Sequence, residues 1–185
     1  MSGPARSPRP VLDWLLRVAL CVGLLVPLHA AGQQASDASV KAAYLYHFLP
    51  YVDWPASSLP PFDAPLVIGI AGAEAVRAEL QTILVGRHVH GRPVTLRAIA
   101  DNDPLAGLHA IFIGRDANQP RLLERLRGRP ILVITDAQAP EAGSMLNFVP
   151  VQGRIRFEAS PGAAERSGLK LGARLLAVAE RVVAP

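Results

Sequence analysis

Four short apolar segments alternate with helix-like segments through the middle of the chain. Runs of this length, rich in β-branched residues and bounded by proline, glycine or loops, are typical of buried strands. The helix-like segments between them, Ala73–Val85 and Pro120–Leu126, repeat leucine or valine every three or four residues. Strands that alternate with helices need crossover connections, which indicates a mostly parallel sheet covered on both faces. The four predicted strands are Leu66–Ala71, Val94–Ile99, Ile111–Ile113 and Ile131–Ile134.

The alternation changes after the fourth strand. Met145–Pro150 and Arg154–Glu158 are two further strand-like runs, separated only by Val151-Gln152-Gly153, which predicts an antiparallel hairpin. An apolar stripe then predicts a last helix from about Leu169 to Val182. The predicted fold class is therefore α/β, a mixed, mostly parallel sheet flanked by helices, with a C-terminal antiparallel hairpin and a final helix.

A first helix is predicted ahead of the sheet, from about Ala38 to Leu49. Ser36 or Asp37 can cap it, because a side-chain oxygen at that position accepts a free amide of the first turn. Pro50 has no N–H to donate to the helix, so we expect the helix to end or kink there.

The first 32 residues have the composition of a secretory leader. Arg6 and Arg9 precede an uncharged run, Val18–Leu28, whose eleven residues fit a signal sequence and fall short of a membrane span. Ala30-Ala31-Gly32 offers small residues for cleavage. We therefore predict a signal peptide over residues 1–32 and a single exported domain over residues 33–185.

An uncleaved membrane anchor is the alternative to a cleaved leader. Asp13 and Arg17 would lie inside any longer span, where charged side chains are costly, and this argues against the anchor. The only cysteine, Cys21, lies within the leader. The exported domain would therefore have no disulfides and would depend on its core alone for stability.

Charge gives no support for nucleic-acid binding. The net charge of the whole chain is +4, and the leader accounts for three arginines and one aspartate. The exported domain is therefore only weakly basic. Four arginines do cluster between Arg121 and Arg129, but a solvated helix face is the favoured interpretation there.

The sequence lacks the constellations that catalysis requires. It contains no G-x-S-x-G motif and no glycine–lysine phosphate loop, and its one cysteine is lost with the leader. Gly69 and Gly72 form only a fragment of a nucleotide fingerprint. We therefore predict a protein that is not an enzyme, with no catalytic residues and no cofactor.

One histidine pair has the spacing of metal ligands. On an extended segment His88 and His90 would point the same way, but no third or fourth ligand lies at a telling spacing. We therefore predict no metal site. His47 shares a helix face with Tyr44 and Tyr51, where a packed or capped histidine is favoured over a catalytic one.

Aromatic residues are concentrated in one segment. Half of the ten in the chain lie between Tyr44 and Trp54. Packing of a helix on the sheet explains some of them, but inward positions recur only every three or four residues, so some rings should be exposed. Exposed tyrosine and tryptophan often anchor protein interfaces. We predict a partner-binding segment composed of Tyr44, Phe48, Tyr51 and Trp54.

Five segments in register resemble the YfiR family. The resemblance covers essentially the whole predicted domain. The segments are Val40–Phe48 with Val52–Pro55, Val67–Ile70, Gly86–Val94, Gly143–Phe148 with Arg154–Glu158, and Gly168–Leu171 with Leu175-Leu176.

The resemblance implies a periplasmic regulator that binds the periplasmic portion of a membrane-anchored diguanylate cyclase and represses it. Cyclic di-GMP and biofilm formation would then stay low. The chain departs from the family pattern at Ala159-Ser160, where Ile-Asn is more usual, and at Pro50, where the family helix usually continues. Some relatives have cysteines in the domain; their absence here excludes control through disulfides.

Three other interpretations remain open at this stage. A small-ligand binding module would hold its ligand at the carboxyl ends of the strands, near Gly72, Arg115 and Asp136. A hydrolase or metal enzyme is the least favoured function. A homodimer is a further expectation, because edge strands and exposed aromatic residues invite association.

Overall fold

A computed structural model describes residues 36–59, 61–138 and 143–183. The predicted signal peptide, residues 1–32, and its cleavage site lie outside these residues. Within the described ranges, no helix combines the length and the apolar character needed to cross a membrane.

The described residues of the first half of the domain, 36–59 and 61–98, contain two helices and four strands. Two short 3₁₀ turns, Leu49–Tyr51 and Ala56–Ser58, follow the first helix and the first strand. The elements in chain order are α1 (Asp37–Phe48), β1 (Val52–Asp53), β2 (Leu66–Ala71), α2 (Glu74–Ile83), β3 (His88–Val89) and β4 (Arg92–Ala98).

The second half adds three helices and six strands among the described residues. They are β5 (Ala110–Ile113), α3 (Gln119–Leu126), β6 (Leu132–Thr135), β7 (Leu146–Val151), β8 (Arg154–Ala159), α4 (Pro161–Arg166), β9 (Lys170–Leu171), α5 (Ala173–Ala177) and β10 (Arg181–Val182).

Eight strands form one mixed sheet in the order β10-β8-β7-β6-β5-β2-β4-β3. The pairs β2–β4, β2–β5, β5–β6, β6–β7 and β8–β10 are parallel, whereas β7–β8 and β3–β4 are antiparallel. The two remaining strands, β1 and β9, pair separately and antiparallel. The α/β class, the mostly parallel sheet and the C-terminal hairpin are therefore confirmed.

The bounds of α1 follow from its two ends. The hydroxyl oxygen of Ser36 accepts the N–H of Ser39 at 3.1 Å, which caps the first turn as the sequence predicts. Pro50 lies in the 3₁₀ turn that follows, so the α-helix ends at Phe48. The chain then turns towards the sheet through β1.

The core lies on both faces of the sheet. Every residue of β5 and β6 is buried, as expected for central parallel strands with helices on both sides. Leu80 of α2 and Leu122 of α3 are fully buried, in agreement with their predicted inward positions.

The predicted final helix is present but much shorter than the expected span from about Leu169 to Val182, because only Ala173–Ala177 is helical. Within the predicted range, β9 precedes α5 and β10 follows it, whereas α4 lies ahead of the range. Two backbone ladders account for the difference, because Lys170 and Leu171 pair with β1, and Arg181 and Val182 pair with β8. At Lys170-Leu171 and at Arg181-Val182, pairing with another strand therefore determines the structure, although the apolar spacing of the segment is typical of a helix.

Candidate partner-binding surface

Phe48 occupies the centre of an aromatic cluster between α1 and the sheet. Its ring centroid lies 4.8 Å from that of Phe157 and 5.9 Å from that of Phe148. Phe148 and Phe157 are paired across β7 and β8 and therefore share the face of the sheet that α1 covers. Phe48 is only 2% exposed, so it supports the surface from below.

Tyr44 forms the outer rim of the same cluster. Its ring centroid lies 5.6 Å from Phe48, 5.8 Å from Phe148 and 5.7 Å from Phe157. The side chain is half-buried, so one part packs and the other part remains at the surface. This position suits an interface anchor, because the packed ring loses little conformational freedom on binding.

Tyr51 is the most exposed of the predicted binding residues, at 41%. Its carbonyl oxygen accepts the N–H of Gly172 at 2.8 Å. A Cβ at position 172 would lie 3.0 Å from that oxygen, so glycine allows the two segments to approach closely. This contact fixes Tyr51 beside the start of α5.

Trp54 is an anchor within the core. It is 9% exposed, and its indole N–H donates to the carbonyl oxygen of His109 at 3.0 Å. It lines a separate hollow of about 160 Å³ with His90 and Arg92. Trp54 therefore lies apart from the cluster that Tyr44 and Phe48 form.

His109 is a structural residue that the sequence does not single out. Its Nδ1 accepts the backbone N–H of Val67 at 3.0 Å, which requires the neutral ring. Burial, and secondarily the positive charge of Arg92, lowers the pKa of His109 below its ordinary value of 6.5. A histidine that accepts a buried backbone N–H can be recognised only from the fold.

The surface that remains consists of Tyr44, His47, Tyr51, Arg174 and Val178, and we call it the aromatic face. Two hollows of about 370 and 240 Å³ share Tyr44 and His47, and the second extends to Tyr51, Arg174 and Val178. Val178 is 61% exposed. The sequence prediction missed the contribution of α5, because it placed that segment in one long helix.

A buried ion pair positions α1 over the strand ends. Lys41 Nζ lies 2.7 Å from Asp136 Oδ2, and Arg115 Nη2 lies 3.1 Å from Asp136 Oδ1. Breaking such a buried pair leaves an uncompensated charge, which is strongly destabilising. The carboxylate that the sequence proposes for a small ligand is therefore engaged by two cations of the chain itself.

Gly72 is also occupied by a contact within the chain. A Cβ at this position would lie 2.2 Å from the backbone nitrogen of Ala117, so two turns of backbone touch there. Two of the three residues near the predicted ligand position, Gly72 and Asp136, are therefore engaged by contacts within the chain, whereas the side chain of Arg115 is 57% exposed.

The histidine pair lies on the β3–β4 hairpin. His88 and His90 are exposed, and His90 has a φ of 51° in the turn. Among the described residues, no group of three or more histidine, cysteine, aspartate or glutamate side chains is arranged to hold a metal ion.

Comparison with known families adds to this geometry. A family model described as YfiR/HmsC-like matches residues 38–180. The chain belongs to the YfiR/HmsC-like family. A comparison with curated proteins gave no match.

Membership in the YfiR/HmsC-like family supports a role at the level of the family, that of a periplasmic regulator in diguanylate cyclase signalling. The family is regulatory and not catalytic. The matched residues include the whole aromatic face, from Tyr44 in α1 to Val178 after α5.

Proposed function

We propose that this protein binds the periplasmic portion of a membrane-anchored diguanylate cyclase and represses it, which lowers cyclic di-GMP and biofilm formation. Residues 1–32 would act as a cleaved signal peptide and residues 33–185 as one regulatory domain in the periplasm. Family membership is the observation that carries this proposal.

The aromatic face is our proposed contact with the cyclase. It combines half-buried Tyr44 and exposed Tyr51 with the exposed Val178, and Arg174 adds a positive charge at its edge. Tyrosine and arginine are enriched among residues that dominate binding energy. Phe48 then contributes indirectly, because it packs against Tyr44 from within the core, whereas Trp54 lies in a separate hollow and is not part of the proposed contact.

Cellular cyclic di-GMP tests the proposal. Deletion of the gene should raise its level, and the exported protein should restore it, whereas a version without residues 1–32 should not. An unchanged level after deletion would contradict repression of a cyclase. Restoration by the version without the leader would contradict a periplasmic site of action.

Two variants test the surface itself. Tyr51→Ser combined with Tyr44→Ser should fail to restore low cyclic di-GMP, because the anchors are removed. The matched control is Val85→Ser, an apolar residue that is 80% exposed on another part of the domain. Since Tyr44 also packs, the single Tyr51→Ser variant gives a second measurement with a smaller effect on folding. Full repression by both variants would exclude the aromatic face.

An open strand edge supports the proposal of a homodimer. Ile99 donates its N–H to Ile70 O at 2.8 Å, so the backbone groups of Ala98 and Leu96, one and three residues earlier, point away from β2. β3 covers only the first two residues of β4. Free strand edges of this kind pair with other strands. Sedimentation velocity over a range of concentrations would detect such a dimer.

A further inference from the structure

A recess lies on the face of the sheet opposite α1. Paired residues share a face, and Phe112, Ile134 and Leu146 are paired in succession on the side of Phe148 and the aromatic cluster. Val133 therefore points to the other side, as does Met145, whose N–H donates to Val133 O at 3.0 Å. Between α3 and α4 these two residues lie at the base of a recess of about 550 Å³.

The base of this recess is apolar, and its rim is cationic. The base side chains are each at most 6% exposed, so they lie deep below the surface. Arg127 and Arg166 stand at the rim, together with the polar Ser167. The base is formed by Leu123, Leu126, Val133, Met145 and Ala163.

The two arginines are available to a ligand. Arg166 makes no ion pair within the described ranges of the chain. Arg127 pairs with Glu124 at 2.6 Å, but both side chains are about 70% exposed, and such surface pairs contribute little. A guanidinium remains charged at all physiological pH values and binds carboxylates and phosphates through two parallel hydrogen bonds.

We propose that this recess, which we call the arginine recess, binds a small amphipathic anion. The apolar body of the ligand would contact Val133 and Met145, and its carboxylate or phosphate would bind Arg127 and Arg166. The volume of the recess lies within the range of about 300–1,000 Å³ that is usual for small-molecule sites. An apolar lining with a few convergent polar groups is also typical of such sites. This site is distinct from the aromatic face and from the strand-end position predicted from the sequence.

A nuclear magnetic resonance titration of the purified domain tests the site without any cyclase. The probes are octanoate and octyl phosphate, with acetate as the anion that lacks an apolar body and octanamide as the uncharged analogue. Octanoate, octyl phosphate or both should shift the amide resonances of residues around the recess. Acetate and octanamide should bind at least tenfold more weakly.

Variants connect the binding to the two arginines. The double variant Arg127→Gln, Arg166→Gln should weaken binding of the responsive probe at least tenfold, whereas Arg154→Gln, an exposed arginine of the β7–β8 hairpin, should not. The amide spectrum of each variant reports directly whether it is folded. Equal binding of octanamide, equal binding by the double variant, or an absence of shifts at the recess would overturn the proposal.

Discussion

The two faces of the sheet are filled in different ways. On one face, rings from α1 and from β5, β7 and β8 overlap at centroid distances of 4.8–5.9 Å, which leaves only shallow hollows at the rim. On the other face, aliphatic side chains form a floor that α3 and α4 do not fully cover. Closely packed aromatic rings thus leave a shallow surface, of the kind proposed here to contact another protein. The gap between α3 and α4 leaves a deeper recess, of the kind proposed to bind a small molecule.

The largest expected effect on stability is that of truncating Phe48, the central ring of the aromatic cluster. Phe48→Ala removes a ring that is 2% exposed and contacts three other rings, so we expect a loss of about 3–5 kcal/mol in the free energy of unfolding. Urea denaturation measures it. Phe62→Ala is the control, because that ring is 68% exposed and lies against Arg92 and Gly91 at the surface. Similar losses for both variants would mean that the cluster is not the source of stability.

Acidification should lower the stability of the protein by a smaller amount, through His109. Because burial lowers the pKa of His109 in the folded state, the unfolded chain binds a proton more readily. The contribution of His109 to stability is therefore complete above about pH 6.5, and it is lost as the pH falls from there through the lowered pKa.

The pH dependence of unfolding checks this expectation. His109→Gln, which keeps a hydrogen-bond acceptor for Val67, should lose less stability than the unaltered protein between pH 7 and pH 5. Identical slopes for the two proteins would show that His109 does not control the acid response.

Substitution of the two arginines at the rim of the arginine recess should have the smallest effect on the free energy of unfolding. Arg127→Gln and Arg166→Gln change exposed side chains, so we expect the free energy of unfolding to move by no more than about 0.5 kcal/mol. Thermal and urea unfolding would measure this. A loss of several kcal/mol would mean that these arginines hold α3 and α4 in place and are not reserved for a ligand.

The sequence predicted the central sheet well and the C-terminal segment badly, for one physical reason. Leu66–Ala71 was placed at its observed bounds because a buried parallel strand has a local signature. Lys170-Leu171 forms a strand only because β1, far away in sequence, offers a pairing edge. Short strands of that kind have no periodicity of their own to recognise.

The same limit applies to the candidate sites. The concentration of aromatic residues draws attention to Tyr44 and Tyr51 as candidate contact residues. The sequence does not show which rings are exposed, because exposure depends on what packs beside each ring. Trp54 is buried because a carbonyl of His109 lies within reach of its indole N–H. The arginine recess could not be predicted at all, since Arg127 and Arg166 line one recess only through α4, a helix that the sequence prediction did not include.

The pairing of Val52 with Leu171 has a consequence for how this protein matures. It joins the two ends of the domain, so Tyr51 reaches its place beside α5 only after most of the chain has been made. Contacts between such distant residues close large loops and form late in folding. If the proposed contact surface depends on the pairing of β1 with β9, the protein would bind its partner only after the whole domain has folded. Partner binding would then indicate that folding is complete.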